Sequence, residues 1–416
     1  MFLLLTEEPA RALGLVPVYR WAGLIRLTLK RGREESVLRR HPWLFSGAVA
    51  SGEGDGTDGH AEVLDWQGRP LARGSFSPQS QIVARLWTFD GRMPGLDLFA
   101  ERFEAARRLR ERILPSETTG YRAIHSEGDL CPGVLMDIYG DTAVLDLLTE
   151  GTERWESELT AAASAVFRPG RVVVRRTGSE RDQGSPSLIT NHKSQITNPS
   201  PIPFTENGLH FFADPALGQK TGFFLDQRDN RARLRALARG ATVLNLFSYS
   251  GSFSVAALAG GAARAVDVDS SERALQMAAE HRRANGFPDA ASDFERADVF
   301  EDLRRRAAAG ETWGIVVCDP PAFAKKRADV SRAARGYKDI NRLAMGLVAP
   351  GGWLLTCSCS GHVSADLFGK IVFSASLESG RSFSLAVRAG AAADHPVSLD
   401  CPEGEYLKAL WLCRKT

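Results

Sequence analysis

From Ile25 onward apolar and polar residues alternate in short bursts, at residues 25–29, 61–64, 70–73 and 81–87, with turn-forming residues at 51–59 and Gln67-Gly68 between them. A period of two broken by glycine predicts a compact all-β module over residues 25–95. At residues 98–114 the apolar period becomes helical, and Pro115 ends it. Short strands follow through residues 143–148, then a helix near 155–167 and a strand at 172–174, which predicts a middle α+β domain over residues 96–178. Residues 179–203, dominated by Ser, Asn, Pro, Gln and Thr, lack periodicity and read as an exposed linker. Residues 1–24 carry weak pattern and read as an extension.

The last unit, residues 204–416, opens with a hairpin around Asn207-Gly208 and a run of glycines, phenylalanines and charges at 218–231, a composition suited to wrapping a ligand. Continuous apolar runs then end in polar residues: 242–247 in a small-residue loop, 264–269 in Asp269, 294–297 before Asp298, and the run before Asp319-Pro320-Pro321. Another begins at Gly351-Gly352 and ends in Thr-Cys-Ser-Cys-Ser at 356–360. Runs of this kind alternating with helices predict a multidomain α/β protein whose C-terminal sheet is Rossmann-like, with its ligand crevice outside the carboxyl ends of the strands.

The loop after the first of these strands lacks the three spaced glycines that cradle a pyrophosphate, and no Walker lysine is present, which favours a nucleoside ligand over NAD or ATP. An acid about twenty residues further on is where doubly wound folds hold ribose hydroxyls. Asp269 fits that role better than Asp267 because it stands at the strand end. Asp298 is placed to accept from an adenine amine. Any one of these acids could be a helix cap; three successive strand ends argue for a site.

Composition narrows the class. With 44% hydrophobic and 25% charged residues the chain resembles ordinary globular proteins, and its net charge of +2 does not by itself imply nucleic-acid binding. Local basic clusters do bear on it: Lys30, Arg31, Arg33, Arg39 and Arg40 in the first module, and Lys325 and Lys326 beside Asp319. Six cysteines without a signal-like leader fit a reducing cytoplasm, and no run reaches the ~18 apolar residues of a membrane span. Cys357 and Cys359, spaced Cys-x-Cys without a second pair, do not form zinc-ligand spacing, so no metal is expected. The pattern sets no oligomeric state and is compatible with a homodimer.

Several ordered motifs resemble one family. His-Pro-Trp-Leu-Phe-Ser at 41–46 with Ser-Gln-Ile-Val-Ala-Arg at 80–85 resembles a PUA domain, a small RNA-binding β-barrel. The run at 218–228, Asn245 to Gly251, Val268-Asp269, Asp-Pro-Pro-Ala-Phe at 319–323, residues 336–344, residues 356–360 and Glu-Tyr-Leu-Lys at 405–408 are similar to those of class I S-adenosylmethionine-dependent 23S ribosomal RNA 5-methylcytosine methyltransferases. The resemblance implies that Asn245, Phe247 and Gly251 line the methionine side of S-adenosylmethionine, Asp269 its ribose and Asp298 its adenine. Gln219, Thr221 and Arg228 would add cofactor contacts, and Asp319 would stand where cofactor and base meet. The implied partner is RNA, 23S ribosomal RNA in particular.

The thiols decide the chemistry. Carbon 5 of cytosine is too weak a nucleophile to accept a methyl group unaided, whereas a thiolate adding at carbon 6 activates it. A base amine needs no such thiol, so methylation of an amine or ring nitrogen is the rival reaction, and a non-catalytic RNA-binding factor the rival class. Cys359 is the expected nucleophile because it falls on the cysteine of the Thr-Cys-Ser element of cytosine methyltransferases. Cys357, preceded by threonine and followed by serine, competes with it, and two residues apart on a strand the pair shares a face. Positive charge to favour the thiolate is expected from Lys325, Lys326 or Lys338.

Overall fold

A computed structural model describes residues 23–177, 201–215, 221–324 and 326–416. The expected extension at 1–24 lies almost wholly outside these residues. So does the expected linker at 179–203, except at its end, where a strand has already begun at Ile202.

Six strands build the first domain: β1 (Ile25–Leu29), β2 (Trp43–Phe45), β3 (Val49–Glu53), β4 (His60–Leu64), β5 (Pro70–Phe76) and β6 (Ile82–Thr88), in the order β2-β6-β5-β4-β1-β3. The alternation seen in the sequence is the cause. Ile25, Leu27 and Leu29 of β1 point into a core shared with Val63, Ala84 and Leu86, and Arg26 and Thr28 point away. The helix Leu96–Ile113 links this barrel to the middle sheet, β7 (Gly120–His125), β8 (Val134–Tyr139), β9 (Thr142–Leu147) and β10 (Arg171–Arg176), in the order β10-β9-β8-β7.

The hairpin β11 (Ile202–Glu206) and β12 (Leu209–Ala213) turns through Asn207 and Gly208, both at positive φ (52° and 76°), the backbone that an Asn-Gly pair adopts in a tight type I′ turn. Phe204 and Phe211 of this hairpin join Tyr139 of the middle sheet and Phe223 and Val255 of the last domain in one core, which seals the second unit to the third.

The last domain holds β13 (Thr242–Leu246), β14 (Arg264–Asp269), β15 (Phe294–Arg296), β16 (Trp313–Cys318), β17 (Val348–Ser358), β18 (Phe383–Ala389) and β19 (Lys408–Arg414), in the order β15-β14-β13-β16-β17-β19-β18. The first five run parallel, and β19 is antiparallel to both neighbours. The chain steps outward from β13 in both directions, so the switch point lies between β13 and β16 and the crevice opens at their carboxyl ends. No described helix is long and apolar enough to cross a membrane.

A buried carboxylate clamps the middle domain to the last one. Asp394 accepts two hydrogen bonds from the Arg228 guanidinium (2.8 and 3.0 Å), one from the Arg122 backbone N–H (2.9 Å) and one from His395 Nδ1 (2.9 Å). Burial opposes its ionisation, yet His395 and Arg228 together hold the carboxyl well below the usual range. Asp394→Asn leaves a buried guanidinium without its counter-charge, a change that costs about 3–5 kcal/mol. A lower thermal midpoint is expected for this variant at neutral pH. The carboxylate's contribution is complete above the unfolded value of about 4 and fades as pH falls below it, so the deficit should shrink in strong acid. An unchanged melt at neutral pH would contradict the clamp.

Candidate active site

Four strand ends converge on the crevice. β13 is followed by residues 247–251, in which Phe247, Tyr249 and Gly251 all take positive φ (55°, 46° and 67°). A Cβ on Gly251 would lie 2.6 Å from the Ala278 Cβ, so only glycine lets the loop sit this close to the helix Glu272–Ala284. β14 ends in Asp269, whose two carboxylate oxygens accept from the Tyr249 and Ser271 backbone N–H groups at 2.9 Å each. β16 is followed by Asp319 and β17 by Cys359.

Asp319 and Cys357 are joined by a residue that the sequence left unassigned. Gln227, buried at the start of the helix Arg228–Leu237, donates through Nε2 to Asp319 Oδ2 (2.9 Å) and to the Cys357 sulfur (3.5 Å), while Asn230 fixes its Oε1 (2.6 Å). Its only sequence signal is its place in the run at 218–228. Ser360 fastens the loops after β16 and β17 together: its hydroxyl accepts from the Ala324 N–H (3.2 Å) and meets the Tyr337 hydroxyl (2.9 Å).

Burial separates the two cysteines. Cys357 lies inside β17, fully buried with Leu355, Val317 and Trp411. Burial, with Asp319 adding to it, pushes its thiol well above the ordinary value. Pairing with β19 stops at Ser358↔Lys408, so Cys359 falls just beyond the strand, partly exposed, with its sulfur 4.0 Å from the Pro320 carbonyl oxygen. The shared face is real, since Cys359 packs at the margin of the cluster that encloses Cys357.

The cation beside Cys359 is Lys408, at the start of β19. Its Nζ donates to the carbonyls of Ser360 and Tyr406 at 2.7 Å each, and burial lowers its pKa to about 8 while the Cys359 charge opposes that fall. The expected lysines stand elsewhere. Lys338 pairs with Glu378 on the neighbouring helix (2.7 Å), because its position on Val330–Leu347 faces Ala365–Ser379 rather than the crevice. Lys326 is exposed in the loop after Asp319, and Lys325 lies outside the described residues.

Three cofactor expectations are also corrected or reassigned. Arg228 is buried against Asp394 and spends its guanidinium on the interdomain clamp. Thr221 bonds Tyr139 (3.1 Å) and Asp137 of the middle sheet. Asn245 is buried in a closed set, donating to Asp267 (2.8 Å) and Ser254 (3.2 Å), and Arg282 neutralises Asp267 (2.7 Å). This explains why Asp267, and not Asp269, is the structural acid of β14. Phe247 is half-buried at the crevice loop, and Asp298 is exposed at the end of β15, where its Oδ1 caps the helix Val299–Ala308 by accepting from the Glu301 N–H (3.1 Å). Gln219 lies outside the described residues. Among the cations of the first domain, Lys30, Arg31, Arg33, Arg39 and Arg40 are all exposed, with Arg39 paired to Glu35.

The donor set suits S-adenosylmethionine. The partly exposed carboxylate of Asp269 would suit a vicinal diol, and the negative charge of Asp319 would suit a sulfonium. The buried Ser248 hydroxyl on the β13 loop has no partner among the described residues, which leaves a hydrogen-bonding atom for a ligand.

Five parallel strands, an antiparallel return strand and acids at the strand ends are the arrangement of a class I methyltransferase. The model of the S-adenosylmethionine-dependent methyltransferases matches residues 158–390, and that of the PUA-like domain matches residues 27–89. Over 393 residues the chain is 41% identical to ribosomal RNA large subunit methyltransferase I of Yersinia pseudotuberculosis and to that of Yersinia pestis, covering 94% of this chain and 99% of each relative. A solved S-adenosylmethionine-dependent methyltransferase from Streptococcus mutans shares the fold with TM-score 0.77 at 23% identity, over 93% of this chain and 99% of that one. A methyltransferase solved in complex with SAH superposes equally well at 24% identity and the same coverage. The chain thus belongs to the S-adenosylmethionine-dependent methyltransferases that carry a PUA-like domain, the family of ribosomal RNA large subunit methyltransferase I.

Alkylation of the native protein should label Cys359 and spare Cys357 and Cys318 until denaturant is added, as read by peptide mass spectrometry. Equal labelling of Cys357 in the native state would contradict its burial.

Proposed function

We propose that this enzyme methylates carbon 5 of a cytosine in 23S ribosomal RNA, in the cytoplasm, through a covalent bond from Cys359. The observation that carries the reading is a partly exposed thiol at the end of β17, across from Asp319 and beside a buried lysine, in a fold whose amine-directed members need no thiol. The relatives' name supplies the large-subunit RNA, and the three-domain arrangement supports the PUA-like barrel, residues 25–95, and the middle domain, residues 96–178, as the parts that grip it.

Bound S-adenosylmethionine supplies an electrophilic methyl group. Asp269 holds the ribose, Ser248 and the backbone of residues 247–251 flank the methionine, and Asp298, just after β15, takes the adenine amine. Lys408, charged below about pH 8, favours the Cys359 thiolate. The thiolate adds to carbon 6, and the electron pair placed on carbon 5 would take the methyl group, whose bond to the sulfonium sulfur breaks to leave S-adenosylhomocysteine. Loss of the carbon 5 proton then expels the thiolate and restores the aromatic ring. Asp319, fixed by Gln227, lies beside the face on which the base must sit. An unpaired or assembly-stage cytosine reaches such a pocket most readily, because a stacked one must first be extruded.

Cys359→Ala should abolish 5-methylcytosine formation, scored by bisulfite or mass mapping, with S-adenosylmethionine affinity kept within about twofold. Full activity would sink the assignment, and a Cys357→Ala variant that alone loses product would transfer it to the other thiol. Asp269→Ala should weaken cofactor binding about tenfold or more by calorimetry, the worth of a charged hydrogen bond; unaltered affinity would remove the ribose role. Loss of charge on Lys408 above about pH 8 should make the rate fall on the alkaline side. In Lys408→Met the acid limb should move to higher pH, and Lys408→Arg should move it back. A profile indifferent to both changes would contradict the electrostatic role.

A further inference from the structure

Among the described tryptophans Trp66 alone is exposed, with 43% of its surface open to solvent. It stands in the turn between β4 and β5, on the barrel and away from any core. One exposed apolar side chain is ordinary by itself, so the setting of Trp66 decides what it does. The turn is built to hold it still. Asp65 Oδ1 accepts from the backbone N–H groups of Gln67 (2.8 Å) and Arg69 (2.9 Å), Asp65 Oδ2 accepts from Arg69 Nε (2.7 Å), and Gly68 takes the positive φ of 82° that the turn requires.

The surroundings say what would cover it. β1 and β4 pair in parallel, with Thr28 opposite Leu64, so the residues that leave their carboxyl ends emerge side by side. Lys30, Arg31 and Arg33 leave β1 there, and the Arg31 guanidinium lies over the indole at 5.0 Å from the ring centroid. Of the nearby acids, Asp65 is matched by Arg69 and Glu35 by Arg39, which leaves Glu34 alone against Lys30, Arg31 and Arg33. What remains is a rigid aromatic plane, a guanidinium stacked on it and surplus positive charge. Aromatic planes of this kind stack nucleobases of any sequence, and the cations meet the adjoining phosphates.

We propose that Trp66, backed by Arg31, is a stacking platform for an unpaired nucleobase of the RNA that the barrel holds. The inference rests on the RNA reading above and adds to it the strandedness of the contacted segment and the residue that reads it. A duplex keeps its bases stacked on one another and offers this platform only its ends.

The test is fluorescence anisotropy with the full chain, using a short unstructured RNA oligonucleotide and a hairpin-capped RNA duplex of matched length as probes. Trp66→Ala should weaken the unstructured RNA about tenfold, leave the duplex within about twofold, and leave the salt slope unchanged, because stacking releases no counterions. Trp66→Phe should recover most of the loss. Arg31→Gln should weaken both probes and make the salt slope shallower by about one. If wild type binds the oligonucleotide and Trp66→Ala binds it equally well, or loses both probes alike, the platform is overturned while the RNA reading stands. If wild type binds neither probe, both fall.

Discussion

The active site depends on how the buried Asp394 is satisfied. Four hydrogen bonds converge on this carboxylate, from Arg228, His395 and the Arg122 backbone, and no single domain supplies them all. An unpaired charge at that depth would be prohibitive, so the middle sheet and the loop at the start of Arg228–Leu237 must close on it together. Closure sets Asp226 and Gln227, the residues immediately before Arg228. The Asp226 carboxylate takes the Tyr406 hydroxyl (2.5 Å), two residues from Lys408, and Gln227 reaches Asp319 and Cys357. One interdomain contact thereby fixes the neighbours of the thiol from two directions.

The sheet itself imposes the next constraint. β19 runs antiparallel beside β17 and begins at Lys408, so the ladder ends at Ser358. Because pairing stops there, Cys357 remains a core residue and Cys359 is released toward Pro320. The difference between a buried thiol and a partly exposed one is thus made by where the ladder ends, and β19 also brings Lys408 to the Ser360 carbonyl.

Strands that are buried on both faces announce themselves as continuous apolar runs, which is why β13, β14, β16 and β17, and the acids Asp269 and Asp319 at the ends of β14 and β16, were legible in the sequence. The Asn207-Gly208 turn was legible for an equally local reason, the positive φ that this pair tolerates. What could not be read was partnership across domains. Arg228 in a glycine-rich, charged run looks like a ligand group until Asp394, far away in the chain, is seen to occupy it. Lys338 lies in one of the family-like motifs, at 336–344, but its helix turns it toward Glu378. Lys408 sat unremarked in Glu-Tyr-Leu-Lys because only the antiparallel return of β19 brings it to Ser360. Gln227 was hidden in the same way, by contacts more than ninety residues distant.

The central claim, that Cys359 forms the covalent bond, is tested most directly by trapping it. Ribosomal RNA carrying 5-fluorocytidine, incubated with the enzyme and S-adenosylmethionine, cannot lose a carbon 5 proton, so the adduct should persist through denaturing gel electrophoresis. Peptide mass mapping should then place the nucleotide on Cys359. An adduct on Cys357, or no adduct from an enzyme that methylates the unmodified RNA, would contradict the account.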